Sequence, residues 1–410
     1  VTNVITGEQA SPAPPPRPQA GPGLSVRHTL LAYALFVMLG ALFAGLGAAL
    51  PQLRVIYQLG PTSGSELISV FNAGSLLSTL TFGIAARRLP PRRSISVLVS
   101  IIGCAAVLMG FAASWPMLLI TALVAGTGFG GLVVLLNTAF AKGFGERSAI
   151  KLSILNAVFG LGAIGGPLLI GTVGLANLPF VFTAIGVLIL LCWQVRDCAS
   201  LLTGSEQGED SGVPAGRLRR GLPILLAFAA IGLVYASTET GVSAWQSTYL
   251  VGVGYSVSAA AQLDAGFWAG STLGRLVIPA LTVRMAPQRV VLICTAFAVV
   301  ALFTATSPAL APISYSLAGF ALGPVLPTVL AWMAKVAPSS AQSTTAAILG
   351  CGMLGSVLSP IVIGGITGST PGPLIPITIG VFATLTLLAL FNAARVARRA
   401  KSSEAESIGT

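Results

Sequence analysis

Glu239 is the one acid placed deep in an apolar stretch, about 18 residues into the segment that holds Tyr235-Ala-Ser-Thr-Glu239-Thr-Gly241-Val-Ser-Ala-Trp245. A carboxylate in hydrocarbon costs about 3 kcal/mol, so it pairs, faces a wet cavity or holds a proton. A group of that kind can load and release a proton as a cavity opens to one side and then the other. The alternative reading is a permanently protonated glutamate that fastens neighbouring helices. Arg275, beside Gly274, lies near the end of the next apolar segment. Helix rise separates the two charges by over about 10 Å in depth, which argues against a direct ion pair and gives Arg275 a packing and gating role. Asp264 is expected at the mouth of the same segment as a helix-start or gate residue, and Glu66 opens an earlier segment in the same way.

The uncharged polar residues suit a hydroxylated ring with apolar patches. Asn137, Asn156 and Gln246 offer amide donors and acceptors, Trp245 adds an aromatic face, and Gln52 and Asn72 extend the set. The alternative for each is a hydrogen bond between helices. Nucleophilic or metal chemistry has little to work with. His28 is the single histidine, and the five cysteines stand at no metal-ligand spacing. No Ser/His/Asp or Cys/His constellation is present, so the chain is read as no enzyme, with no cofactor and no metal.

These residues must be positioned by membrane helices. The chain is 54% hydrophobic and only 8% charged, with a mean hydropathy of +0.90. Twelve apolar segments follow one another near 29 to 50, 64 to 86, 94 to 113, 116 to 141, 150 to 173 and 177 to 195, then 221 to 249, 256 to 282, 289 to 306, 309 to 334, 342 to 367 and 373 to 394. Each matches the roughly 20 residues that a bilayer crossing needs. Basic residues fall in alternate gaps: Arg87, Arg88, Arg92 and Arg93, then Lys142, Arg147 and Lys151, then Arg196 to Arg220, and so on to Arg399 and Lys401. Lys and Arg accumulate in cytoplasmic loops, so both termini are expected in the cytoplasm. The net charge of +11 is then an orientation device attracted to anionic lipid, and nucleic acid is not expected as a partner.

The chain also repeats. A shift of 193 residues superposes Gly130 on Gly323, Lys142 on Lys335, Gly162 on Gly355, Pro167 on Pro360 and Gly171 on Gly364. A shift of 196 superposes Arg88-Leu-Pro-Pro91-Arg-Arg93 on Arg284-Met-Ala-Pro287-Gln-Arg289. The expected organisation is a disordered cytoplasmic lead over 1–28, a six-helix bundle over 29–195, a cytoplasmic loop over 196–220, a second six-helix bundle over 221–394 and a tail over 395–410. Two halves of six spans share one orientation, which gives a pseudo-two-fold axis along the membrane normal.

This all-α architecture of twelve transmembrane helices in two pseudo-symmetric bundles resembles the major facilitator superfamily. The turn Gly83-Ile-Ala-Ala-Arg87-Arg88-Leu-Pro90-Pro91-Arg92-Arg93 occupies the place of that superfamily's signature loop, with Arg87 where the signature has Asp and Pro90 where it has Gly, so the inner-side latch must be built otherwise. Phe267-Trp268-Ala-Gly270-Ser-Thr-Leu-Gly274-Arg275, Leu155-Asn156-Ala-Val-Phe159-Gly160-Leu-Gly162 and the Glu239 segment look most like the fucose and glucose proton-symporter branch. The resemblance implies a secondary transporter of the cell membrane that takes up a small polar solute, such as a monosaccharide, with a proton by alternating access. In that reading Glu239 carries the proton, Asn137, Asn156, Trp245 and Gln246 line the central cavity, and Arg275, Arg87, Arg88 and Asp264 belong to gates. Its partners are the solute, protons and the bilayer, and it acts as a monomer. The alternative is a proton-coupled exporter of an amphiphilic drug or metabolite, against which the small number of methionines, six, counts.

The charge alternation makes a topology prediction. Alkaline phosphatase fused after Lys401 is expected to be inactive, and inserted after Leu59 active. The opposite pattern overturns the orientation.

Overall fold

The computed structural model describes residues 25–60, 63–85, 90–203, 215–278, 285–338, 341–368 and 372–408. Arg87, Arg88, residues 1–24 of the expected lead and residues 204–214 of the interval 196–220 lie outside them. Among the described residues the structure is helical throughout. The first half comprises α1 (Val26–Ile56), α2 (Glu66–Ala85), α3 (Pro91–Gly110), α4 (Trp115–Lys142), α5 (Ser148–Thr172) and α6 (Leu178–Leu191). The second comprises α7 (Ala215–Gly252), α8 (Val257–Val277), α9 (Pro287–Thr304), α10, α11 (Ala341–Thr367) and α12 (Leu374–Ile408). Helix α10 runs as Ala311–Leu322 and Val325–Val336, broken at Gly323-Pro324, where proline cannot supply an N–H.

Among the described residues ten helical stretches are long and apolar enough to cross a bilayer; α2 and α8 fill the second and eighth places. Leu80, Ile120, Leu161, Val300 and Leu388 lie exposed on the surface, where side chains of this kind are stable against lipid tails. An even number of crossings returns the chain to the side on which it began, called here the terminal side; the opposite face is the far side.

Helix starts carry the repeat. Pro91 and Pro287 each stand at the first position of a helix, after an extended residue, where proline's fixed φ is already helical. Outside the repeat, Ser114 and Ser256 cap α4 and α8 by accepting hydrogen bonds from the backbone N–H groups of Met117, at 3.4 Å, and Ala259, at 3.1 Å.

Packing repeats as well. Helix α1 lies along α5 as α7 lies along α11, α2 along α4 as α8 along α10, and α3 along α6 as α9 along α12. Lipid tails are as apolar as leucine, so these pairs gain little from the hydrophobic effect and depend on close backbone approach. A Cβ on Gly162 would run into the carbonyl oxygen of Val37, and one on Gly355 into that of Leu233. Gly130 and Gly323 likewise face the carbonyls of Ser75 and Ser271. The glycines that superpose in sequence therefore occupy matching helix crossings.

The halves meet through α5 against α8, α2 against α11 and α1 against α7. Two hydrogen bonds that cross between them lie at the far side: Arg54 Nη1 donates to Thr248 Oγ1 at 2.7 Å, and the Ser258 hydroxyl donates to the Gly171 carbonyl. The molecule is thus closed at the far side.

Gly162→Val puts a branched side chain against backbone that cannot retreat, and is expected to cost about 1–3 kcal/mol. A lowered melting temperature in detergent checks this; an unchanged one shows that the crossing has room.

Candidate functional site

Helices α5 and α8 touch where Gly160 meets the side chain of Thr272. One turn toward the terminal side of that crossing stand Asn156 on α5, exposed, and Arg275 on α8, partly exposed; the space reached from the terminal side between these two helices is called here the cleft, with α5 and α8 as its walls. On the first wall Asn156 Nδ2 donates to Asn137 Oδ1 at 3.0 Å, joining α5 to α4. Each amide also donates to the carbonyl four residues back in its own helix, Asn137 to Val133 at 2.7 Å and Asn156 to Leu152 at 3.0 Å. Asn156 is exposed and Asn137 half-buried, so both retain acceptor capacity toward the cleft.

The second wall carries an ion pair. Arg275 Nη2 lies 3.1 Å from Glu239 Oε1, and Arg275 Nε donates to the Gly323 carbonyl at 3.2 Å, at the break in α10. Tyr235, one turn before Glu239, is buried and donates to the Leu322 carbonyl at 3.1 Å. This corrects the expectation that helix depth keeps the two charges apart. Counted from the turn that joins α7 to α8, Glu239 and Arg275 differ by about five residues, roughly 7 Å of rise, and the long arginine side chain spans it. Partial exposure of both side chains, 21% for Glu239 and 36% for Arg275, leaves the pair within reach of water from the cleft.

The cleft ends in aromatic rings. Phe43 stacks on Phe129 with centroids 5.5 Å apart and planes at 11°, Phe159 stands 6.2 Å from each of them, and Trp268 of the other half meets Phe43 edge-on at 5.8 Å. The Trp268 indole N–H is buried without a hydrogen-bond partner. Sequence reasoning does not single out these phenylalanines. The available signal is that Phe43, Phe129, Phe159 and Trp268 all fall near the middle of their helices.

The remaining expected residues lie elsewhere. Trp245 is fully buried and donates to the Pro360 carbonyl at 3.2 Å, while Gln246, also fully buried, donates to the Leu263 carbonyl at 3.1 Å. Trp245 is thus taken up in the far-side join between the halves, under Arg54 of α1, and Gln246 in the packing of α7 on α8; neither is exposed to the cleft. Gln52 donates to the Ile170 carbonyl at 3.1 Å and Asn72 to the Ile68 carbonyl at 2.9 Å, and both are buried. Gln52 thus joins α1 to α5, whereas Asn72 bonds within its own helix. Asp264, expected at a helix mouth, lies seven residues into α8 with no exposed surface.

Both ends of the molecule carry ionic clusters. On the terminal side Arg92 Nη2 lies 2.7 Å from Asp197 Oδ1, and His28 Nε2 lies 3.4 Å from Asp197 Oδ2. These contacts tie the starts of α1 and α3 to the chain beyond α6, and they supply an acid partner for the arginine-rich turn that lacks the signature aspartate. On the far side, Arg54 sits over the Trp245 ring at 5.8 Å and donates to the Ser63 carbonyl. Glu66 accepts from the Gly64 N–H at 2.9 Å and the Trp115 indole N–H at 3.0 Å.

A two-walled cleft between pseudo-symmetric halves, with a charged pair at bilayer depth, fits a carrier. The family model for the Major Facilitator Superfamily matches residues 30–360. The chain belongs to that superfamily. It is a multi-pass membrane transporter and not an enzyme. Among curated relatives it is 22% identical over 393 residues to the glucose/mannose transporter GlcP of Bacillus subtilis, covering 92% of this chain and 96% of that one. Among solved superfamily folds, a mutant of the nucleoside transporter NupG superposes with a TM-score of 0.75 at 15% identity, over 90% of this chain and 100% of that one. A variant of the fucose:proton symporter FucP of E. coli gives 0.60 at 14% identity, over 90% and 98%.

A mutant cycle tests the pair. Arg275→Ala alone strands Glu239 and is expected to lower the melting temperature, whereas Arg275→Ala with Glu239→Gln recovers most of the loss, a coupling of about 1 kcal/mol for a partly solvated pair. Additive effects show that the two side chains do not interact.

Proposed function

We propose that this chain is a proton-coupled importer of a monosaccharide, working by alternating access in the cell membrane with both termini in the cytoplasm. The observation that carries the reading is the Glu239–Arg275 pair, set across the cleft from the bonded amides of Asn137 and Asn156. With the positive loops inside, the open cleft faces the cytoplasm and the far-side contacts close the outside.

In this account Glu239 holds either a proton or Arg275. With the outside open, protonation of Glu239 frees the guanidinium and the site takes up solute, its hydroxyls on the amides and its apolar face on the rings of Phe43, Phe129 and Trp268. Closure forms the Arg54–Thr248 and Ser258–Gly171 bonds. Water then enters from the cytoplasmic cleft, solute and proton leave, and Glu239 returns to Arg275, the state seen here. Trp245 and Gln246 meet solute only when the outside is open. The sugar relatives, GlcP and FucP, support the choice of substrate.

The aromatic end of the cleft favours a second reading. Stacked rings suit an aromatic or amphiphilic solute equally well, and the nucleoside transporter NupG shares the fold. This includes export of an amphiphile in exchange for protons.

The test uses proteoliposomes in weak buffer, with hexoses, deoxyhexoses, nucleosides and lipophilic drugs added outside while external pH is followed. One sugar is expected to alkalinise the exterior, and Glu239→Gln to reduce this at least about tenfold. Alkalinisation with nucleosides only overturns the substrate. A Glu239-dependent proton leak on drug addition, with no response to any sugar or nucleoside, favours export.

A further inference from the structure

The guanidinium of Arg275 is held at two edges. Nε donates to the Gly323 carbonyl at 3.2 Å, a bond that asks nothing of Glu239, and Nη2 donates to Glu239 Oε1 at 3.1 Å. The carbonyl thus fixes the side chain whatever the state of Glu239, while the Nη1 and Nη2 end, a fork that fits both oxygens of a carboxylate, is the edge that changes partner. The other acids with described side chains stand away from this fork. Asp264 lies eleven residues back along α8, about 16 Å of helix rise. Glu146 lies in the turn before α5, at least about 12 Å of rise from the level of Asn156. Glu66 is bonded to Trp115 at the far side and Asp197 to Arg92 at the terminal side. When Glu239 is neutral, none of these acids replaces it on Arg275.

The facing wall offers the opposite chemistry. Both N–H bonds of the Asn156 amide are spent, on Asn137 Oδ1 and on the Leu152 carbonyl, each at 3.0 Å. Its free group is therefore the carbonyl oxygen, which takes hydroxyl donors and repels an anion. A ring that turns hydroxyls toward α5 and a carboxylate toward α8 satisfies both walls. Charge makes the same demand. In the proposed cycle protonated Glu239 leaves the guanidinium without a counter-charge as the site closes around solute, and a cation in that position costs far more than it does in water. An uncharged sugar leaves it bare, whereas a solute carboxylate takes the fork that Glu239 has left. Binding then requires neutral Glu239, and the return of charged Glu239 to Arg275 displaces the solute, so the two are coupled by competition for one cation.

We infer that Arg275 determines specificity in this site and that the solute is a sugar acid, a hydroxylated ring bearing a carboxylate, carried in preference to its uncharged parent sugar. The inference rests on the proton-coupled import proposed above and narrows its substrate class. One carboxylate and one proton enter together, so the step moves no net charge. An uncharged sugar entering with a proton moves one positive charge inward.

The test compares charged and uncharged forms of the same rings. Proteoliposomes holding the full chain, acidic outside and set by valinomycin and potassium to either no potential or an inside-negative one, receive labelled glucuronate, galacturonate, the matching hexoses or the methyl esters of the acids. Initial uptake of one hexuronate is expected to exceed that of its hexose and of its ester at least about tenfold, the advantage of a charge-assisted bond. That uptake is expected to need the pH gradient and to be the same at both potentials. In Arg275→Gln the acid is expected to lose its advantage, and the parent chain alone decides the matter if this variant does not fold. Proton-dependent uptake of a hexose that matches or exceeds that of the acids, and is faster at inside-negative potential, overturns the inference and leaves the proposed function standing. An acid no better than its ester, or one whose uptake rises with inside-negative potential, overturns it equally. Uptake that ignores the pH gradient, or none for any sugar or sugar acid, removes the proposed function and the inference with it.

Discussion

A charge at bilayer depth needs a counter-charge, a proton or water, and the contact between Glu239 and Arg275 meets that need in the state seen here. Its geometry depends on three helices. Helix α7 carries the acid, α8 carries the base, and the break at Gly323-Pro324 in α10 presents a carbonyl to Arg275 Nε. In the proposed mechanism a proton replaces the arginine on Glu239, and the pair links chemical potential to shape: the guanidinium is tied down when the acid is charged and freed when it is neutral.

Such a switch is useful only if the parts it moves are stiff inside and loosely joined to each other. Stiffness comes from backbone contact at glycine: Gly162 on Val37, Gly355 on Leu233, Gly130 on Ser75 and Gly323 on Ser271. No side chain at these crossings can rotate to absorb a displacement, so each half moves as a body. The join is lighter at the far side, where Arg54–Thr248 and Ser258–Gly171 bridge the halves and the Phe43–Trp268 edge contact adds to them near mid-membrane. Hydrogen bonds contribute about 1 kcal/mol each, an amount that proton or solute binding can offset. The terminal-side cluster of Arg92, Asp197 and His28 lies within the first half and braces it without holding the two halves together.

Much of this is legible in the residues. Twelve apolar segments, alternating basic gaps and a glycine repeat at a shift of 193 lead to the architecture, because hydrocarbon allows few solutions for a spanning backbone. Glu239 stands out because no other acid reads as lying so deep. Partners across helices are less legible, since they depend on where each helix is counted from and how far a side chain reaches. Arg275 therefore reads as too far from Glu239. Trp245 and Gln246 point to the cavity by chemical type, yet a buried indole or amide satisfied by a backbone carbonyl has the same type. Phe43, Phe129 and Phe159 escape notice because phenylalanine in a membrane helix is ordinary, and only the packing of four helices brings their rings together with Trp268. Asp264 reads as a mouth residue because its seven-residue depth into α8 resembles a helix start.

Proton uptake on solute binding tests the central claim, that Glu239 exchanges Arg275 for a proton, most directly. The purified protein in unbuffered detergent solution near neutral pH receives its solute while a pH indicator is followed. The account predicts about one proton taken up per molecule for the parent chain and none for Glu239→Gln, provided that the variant still binds solute. Equal uptake by the two proteins contradicts it.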